Sequence, residues 1–222
     1  MTPEDGRSNG YIGSLKRRIR IVMLLDAAEC AGLVPLAIGH LHFLAYMSNT
    51  LAPVWDMPIL EGKLLKRQSG PFYPALQRDL DHLVGSGVVS ISKLGYLLSE
   101  GNRWRLEGSY HLNKTLAAPI LVALEQFESE QLLMSFIREM VYAISALSEN
   151  DFDNAISADA TFTDPVIAFG NVLDFGEWRK VNYTANAARQ FGHLLPEGTN
   201  ATLGEELHFY VRHLHRRMHG ER

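Results

Sequence analysis

Apolar residues recur at helical spacing through most of this chain. The clearest run is Leu132, Leu133, Phe136, Ile137, Met140, Val141, Ile144 and Leu147, which predicts an amphipathic helix with one buried face. A second stripe of Leu203, Leu207, Tyr210, Val211, Leu214 and Met218 predicts a helix over about 202–218. Two more helices are expected over about 115–127 and 177–194. Nearer the N-terminus, Ser14 is placed to cap a helix from Leu15 to Ala31 that Gly32 ends. That helix begins with Lys16, Arg17, Arg18 and Arg20 and is apolar all round from Ile21 to Leu25, so its middle is expected to be buried. The cations read as a solvated face, the alternative being contact with phosphate or a partner. Pro35 opens a further helix over about 36–51 and Pro53 closes it. Residues 52–60, APVWDMPIL, read as an apolar, packed loop.

The periodicity changes between Glu61 and Val89. Lys63, Lys66 and Arg67 lie in what reads as a basic loop, and Gly70-Pro71-Phe72-Tyr73-Pro74 as a turn. Leu76, Leu80, Leu83 and Val84 then form one helical stripe, with Gln77, Arg78, Asp81 and His82 largely opposite, and Gly85-Ser86-Gly87 ends it. Val88–Ser92 reads as a strand. Leu94–Leu98 and Arg103–Leu106 read as a hairpin around Ser99-Glu100-Gly101-Asn102. The expected fold is mainly α, with an N-terminal winged helix-turn-helix-like half carrying a small β wing and a C-terminal helical half. The expected divisions are a disordered lead-in over 1–13, a winged-helix-like domain over 14–113 and a helical domain over 114–222. Residues 149–176 show no usable periodicity and receive no assignment.

Charge changes this picture only modestly. The net charge is −4, but residues 1–113 hold 12 Lys/Arg against 10 Asp/Glu, and residues 114–222 hold 9 against 15. The N-terminal half is therefore the one expected to meet phosphate, through Lys63, Lys66, Arg67, Arg78, Arg103 and Arg105. Trp55, Met57, Ile59, Tyr210 and Leu214 are the candidate partner interface. The single cysteine, Cys30, excludes an internal disulfide and reads as an inert buried thiol. The first ten residues have no apolar signal region and no run is long enough to span a bilayer, so a cytoplasmic protein without membrane contact is expected.

Catalytic patterns are missing. His215 and His219 stand at i, i+4, but no carboxylate or cysteine accompanies them at ligand spacing, so they read as a solvated basic helix end. His40 and His42 read as packing or surface residues. Asp153, Asp159, Asp164 and Asp174 resemble a nuclease carboxylate set only superficially; caps and turns explain them. The chain has neither a GxSxG elbow nor a phosphate loop. The expectation is a non-enzyme with no cofactor and no metal.

Several segments in order resemble a known group: Leu24-Leu25-Asp26-Ala27-Ala28-Glu29, Leu41-His42-Phe43-Leu44-Ala45-Tyr46, Leu51-Ala52-Pro53-Val54-Trp55, Gly70-Pro71-Phe72-Tyr73-Pro74, Asp164-Pro165 and Asn171-Val172-Leu173-Asp174-Phe175-Gly176. Together, over roughly 15–215, they look like the middle component of bacterial three-component ABC systems, of which the Lamassu defence branch has a similar small third subunit. The resemblance implies a non-catalytic subunit of an anti-phage or anti-plasmid complex. Such a subunit links an SMC/Rad50-like ABC ATPase to an effector, often a nuclease, and helps couple sensing of double-stranded DNA to effector activation. The residues leave two other readings open: a winged-helix transcriptional regulator reading the major groove with Gln77, Arg78 and Asp81, and an antitoxin-like binding module.

Overall fold

The computed structural model describes residues 3–59, 63–99, 103–174, 182–193 and 200–220. The chain is mainly helical, with two small antiparallel sheets among these residues. Helix α1 (Pro3–Cys30) leads into a two-residue strand β1 (Leu36–Ala37) and helix α2 (Ile38–Thr50). A 3₁₀ turn (Ala52–Trp55) then precedes β2 (Lys63–Arg67), β3 (Gly70–Phe72) and helix α3 (Pro74–Gly85). A long hairpin of β4 (Val89–Ser99) and β5 (Arg103–Leu112) follows. Helices α4 (Lys114–Leu124), α5 (Glu128–Ile144) and α6 (Glu149–Asn154) come next. A second 3₁₀ turn (Ala155–Ala158), β6 (Val172–Asp174), α7 (Tyr183–His193) and α8 (Leu203–Met218) complete the order.

The first sheet runs β1-β5-β4 and the second β3-β2-β6. In the second, Lys66 faces Pro71 and Leu64 faces Leu173, so β6 brings a strand from the C-terminal half against one from the N-terminal half. Proline is tolerated in β3 because that strand is an edge. The buried residues form one cluster that includes Ile21–Leu25 of α1, Leu41 and Leu44 of α2, Phe136, Ile137, Met140 and Val141 of α5, and Leu207, Tyr210, Val211 and Leu214 of α8. The core therefore crosses the point near residue 113 where charge changes.

Several expectations are corrected here. Residues 3–13, expected to be a disordered lead-in, are the first turns of α1. Pro3 suits a helix start, because it lacks only an N–H that would be unpaired there. Ser14 does not cap that helix; its hydroxyl donates to Asp79 of α3 at 2.5 Å. The basic loop at Lys63–Arg67 and the turn at Gly70–Phe72 are paired strands. Cys30 is exposed at the end of α1 rather than buried. The expected stripe of α8 is buried as read at Leu207, Tyr210, Val211 and Leu214, and its start carries a capping box between Thr202 and Glu205.

Of the α1 cations Lys16 is exposed as expected, but Arg17, Arg18 and Arg20 are engaged within the fold. Arg17 Nε donates to Asp79 Oδ2 at 2.6 Å and Arg18 Nε to Oδ1 at 3.3 Å, tying α1 to α3. Arg20 is buried, with Nη1 donating to Ser48 Oγ at 3.2 Å. Burial lowers its pKa to about 10, a shift that the charge of Glu130 opposes.

Candidate interaction surface

The hairpin of β4 and β5 carries the most exposed apolar side chains in its neighbourhood. Leu98 pairs with Trp104, and Tyr96 stands two residues before Leu98 on the same strand, so alternation puts Tyr96, Leu98 and Trp104 on one face of the ribbon. Tyr96 is 70% and Trp104 69% exposed, and Leu94 and Leu98 also face solvent. The register shifts between Ser92 and Gly95, where Lys93 has a left-handed φ of 51°. Such a bulge re-aims the strand beyond it and increases its twist. Gly108 sits beneath this bulge; a Cβ there would meet the Ile91 side chain at Cγ2, 2.9 Å away, so glycine leaves room for that side chain over the ribbon. Exposed single apolar residues are ordinary; a row of two aromatics and two leucines on one ribbon face is a larger apolar patch and makes this the candidate interaction surface.

The residues expected to meet DNA scatter. Lys63 is exposed on β2 and Arg78 on α3. Lys66, by contrast, is buried. Its ammonium donates to the carbonyls of Asp164 at 3.1 Å and Ile167 at 2.7 Å. It also lies 5.4 Å from the Phe162 ring centroid and 5.2 Å from that of Phe169. It is withdrawn from any phosphate because the alternation of β2 turns it inward, where it folds the 164–167 turn around itself. Burial lowers its pKa, against the opposing charge of Asp164. Arg67 stacks on Phe72, its guanidinium carbon 3.5 Å from the ring centroid. Arg103 and Arg105 lie on β5 and pair with Ser99 and Leu97 in the backbone ladder, and their side chains fall outside the described residues. On α3, Gln77 donates to Asp81 at 3.0 Å and its carbonyl contacts His42 Nε2 at 3.3 Å, so the face expected to read a groove is partly tied up.

The expected partner interface is corrected in the same way. Tyr210 and Leu214 are wholly buried. Trp55 is half-buried with its ring 5.8 Å from that of Phe136, and Met57 and Ile59 pack against the core. Arg189 of α7 donates to the Pro53 carbonyl and reaches Asp56 at 3.5 Å, fastening this segment down. The apolar pattern over 52–59 recorded packing, as residues 132–147 did; residue 60 lies outside the described residues.

Sequence reasoning singled out Asp159 only as a member of a doubtful carboxylate set. It is fully buried and joins four elements. Tyr46 of α2 and the Phe162 N–H (2.8 Å) donate to Oδ1. Tyr210 of α8 at 2.6 Å and Thr184 of α7 at 2.8 Å donate to Oδ2. Four donors for one carboxylate make this a satisfied structural knot. Asp164 likewise serves a turn, its Oδ1 accepting from the Val166 N–H at 2.9 Å, and Asp153 pairs with His40 at 2.6 Å. The signal that could have found Asp159 is its place among buried tyrosines, and that is visible only once α2 and α8 are packed together.

Burial, and then the Asp159 charge, raise the pKa of Tyr46 and of Tyr210 well above the ordinary phenol value. Folded pKa values raised in this way mean that the native state holds these protons longer than the unfolded chain does. The corresponding stability is complete below the unfolded value of about 10 and is lost as pH rises past it. Urea unfolding midpoints are expected to fall steeply above that pH. A midpoint that stays level through this range would contradict the burial of both phenols.

Comparison of the chain with family models, with curated proteins and with solved structures returns no match.

Proposed function

We propose that this chain is a non-catalytic assembly subunit whose β4–β5 hairpin docks on a protein partner. The observation that carries the reading is the exposed apolar face built by Leu94, Tyr96, Leu98 and Trp104. Aromatic side chains supply much of the binding energy at protein interfaces, whereas a phosphate clamp needs cations. Here Arg17 and Arg18 of α1 are spent on Asp79, Arg20 is buried against Ser48, and Lys66 is spent on backbone carbonyls. The buried carboxylate Asp159 is saturated with structural donors, which favours a scaffold over a reaction centre.

The order α1, β1, α2, α3, β4, β5 reads as a winged helix-turn-helix with the β2–β3 hairpin inserted between its second and third helices. In the assembly that the sequence resembles, the partner is an SMC/Rad50-like ABC ATPase, and this chain links it to a nuclease-type effector of anti-phage or anti-plasmid defence. The setting would be the cytoplasm; no helix of the described residues is long and apolar enough to cross a membrane. DNA contact within the complex is the second reading, and it rests on exposed Lys63 and Arg78.

The test is co-expression with the products of neighbouring genes, purification through a tag on this chain, and identification of what co-purifies. A coiled-coil ATPase with an effector is the expected recovery. A lone monomer, or a homodimer that binds a specific DNA operator, would replace this reading with a transcriptional regulator. A single small toxic partner would favour the antitoxin-like module.

A further inference from the structure

His215 and His219 do have a carboxylate beside them, supplied by Asp151 of α6, 68 residues before His219. The sequence reading missed it because α6 lies in the stretch without periodicity. We propose that Asp151, His215 and His219 form a binding site for one divalent transition-metal ion of the zinc class, which joins α6 to the end of α8.

The three ligand atoms converge, all lying within 4.8 Å of one another. His219 Nε2 is 2.9 Å from Asp151 Oδ1, and His215 Nε2 is 3.7 Å from Oδ2. A tetrahedral zinc ion with bonds of about 2.0–2.1 Å holds its ligand atoms about 3.3 Å apart. The two separations, one to each oxygen of the same carboxylate, lie on either side of that value, and with all three ligand atoms within 4.8 Å the side chains would close on the ion as it binds. Two imidazole nitrogens and one carboxylate oxygen are a zinc-type donor set, and helix spacing i, i+4 puts both rings on one face.

The carboxylate is also oriented. Ser148 caps α6, and its hydroxyl donates to Asp151 Oδ2 at 2.7 Å, leaving Oδ1 toward His219. Asp151 is buried while His219 is exposed, so an ion would enter from the solvent side. The end of α8 favours a cation through its unpaired carbonyls, and the nearby Arg212, Arg216 and Arg217 are exposed and screened by solvent. Three protein ligands leave a fourth position for water or an incoming donor. His215 also borders a cavity of about 340 Å³, lined further by His208, Phe209 and Arg212.

The experiment uses the full chain carrying a histidine-free tag, stripped with chelator. Zn(II) is titrated by calorimetry and Co(II) by its visible ligand-field absorption. One ion per chain is expected, with a higher thermal midpoint in Zn(II) that chelator reverses. His219→Ala changes an exposed side chain and should fold. It is expected to weaken binding by more than the roughly 10–100-fold that loss of an outer-shell partner costs. His208→Ala, on the same helix, should leave binding unchanged. Failure of the stripped chain to take up Zn(II), or wild-type affinity in His219→Ala, overturns the site.

Discussion

Asp159→Ala is expected to cost at least about 3 kcal/mol of folding stability, because it strands several buried donors at about 1–3 kcal/mol each. That is a large share of the roughly 5–15 kcal/mol that holds an ordinary domain together. The substitution leaves the hydroxyls of Tyr46, Tyr210 and Thr184 and the N–H of Phe162 buried without their acceptor. Each unsatisfied group carries its own desolvation cost. The loss falls on the contact between α2, α7 and α8, so the C-terminal helices should loosen first. Tyr210→Phe removes one donor and leaves the carboxylate three others; its cost should be nearer 1 kcal/mol. Urea unfolding followed by circular dichroism reads both values. An Asp159→Ala loss below about 1 kcal/mol would mean that the carboxylate is not the acceptor described here.

The double variant Tyr96→Asp, Trp104→Asp is expected to weaken partner binding by at least about 30-fold, the effect of losing one interface hot spot of about 2 kcal/mol. Both side chains are about seven-tenths exposed in the chain alone, so their replacement removes little packing. The thermal midpoint of the isolated chain should therefore change by only a few degrees. Trp55→Ala should behave in the opposite way, lowering stability through its contact with Phe136 while leaving the affinity of the folded fraction intact. Binding measured on the purified complex separates the two. Undiminished affinity in the hairpin double variant would remove the hairpin from the interface.

The helices were legible because their cores are periodic. The stripe from Leu132 to Leu147 predicted α5, and Leu203 to Met218 predicted α8 with bounds close to those observed. The hairpin was legible from alternation and its turn residues. Residues 63–72 were misread because a five-residue strand containing three cations looks like a basic loop until its partner β6 is known. Lys66 shows the physical limit most plainly: a lysine in a basic run is ordinarily solvated, and only the carbonyls of residues 164 and 167, about a hundred positions away, make its burial tolerable. Asp79, Asp151 and Asp159 escaped for the same reason. Each is defined by partners distant in sequence, and local pattern carries no record of them.

Whether the hairpin face meets a protein partner is read by a photo-crosslinking residue placed at position 96 of the full chain in cells that also express the neighbouring genes. One dominant adduct with a coiled-coil ATPase subunit is expected, absent when the crosslinker stands at exposed Glu125 instead. No adduct at position 96, or the same adduct from both positions, would contradict that contact.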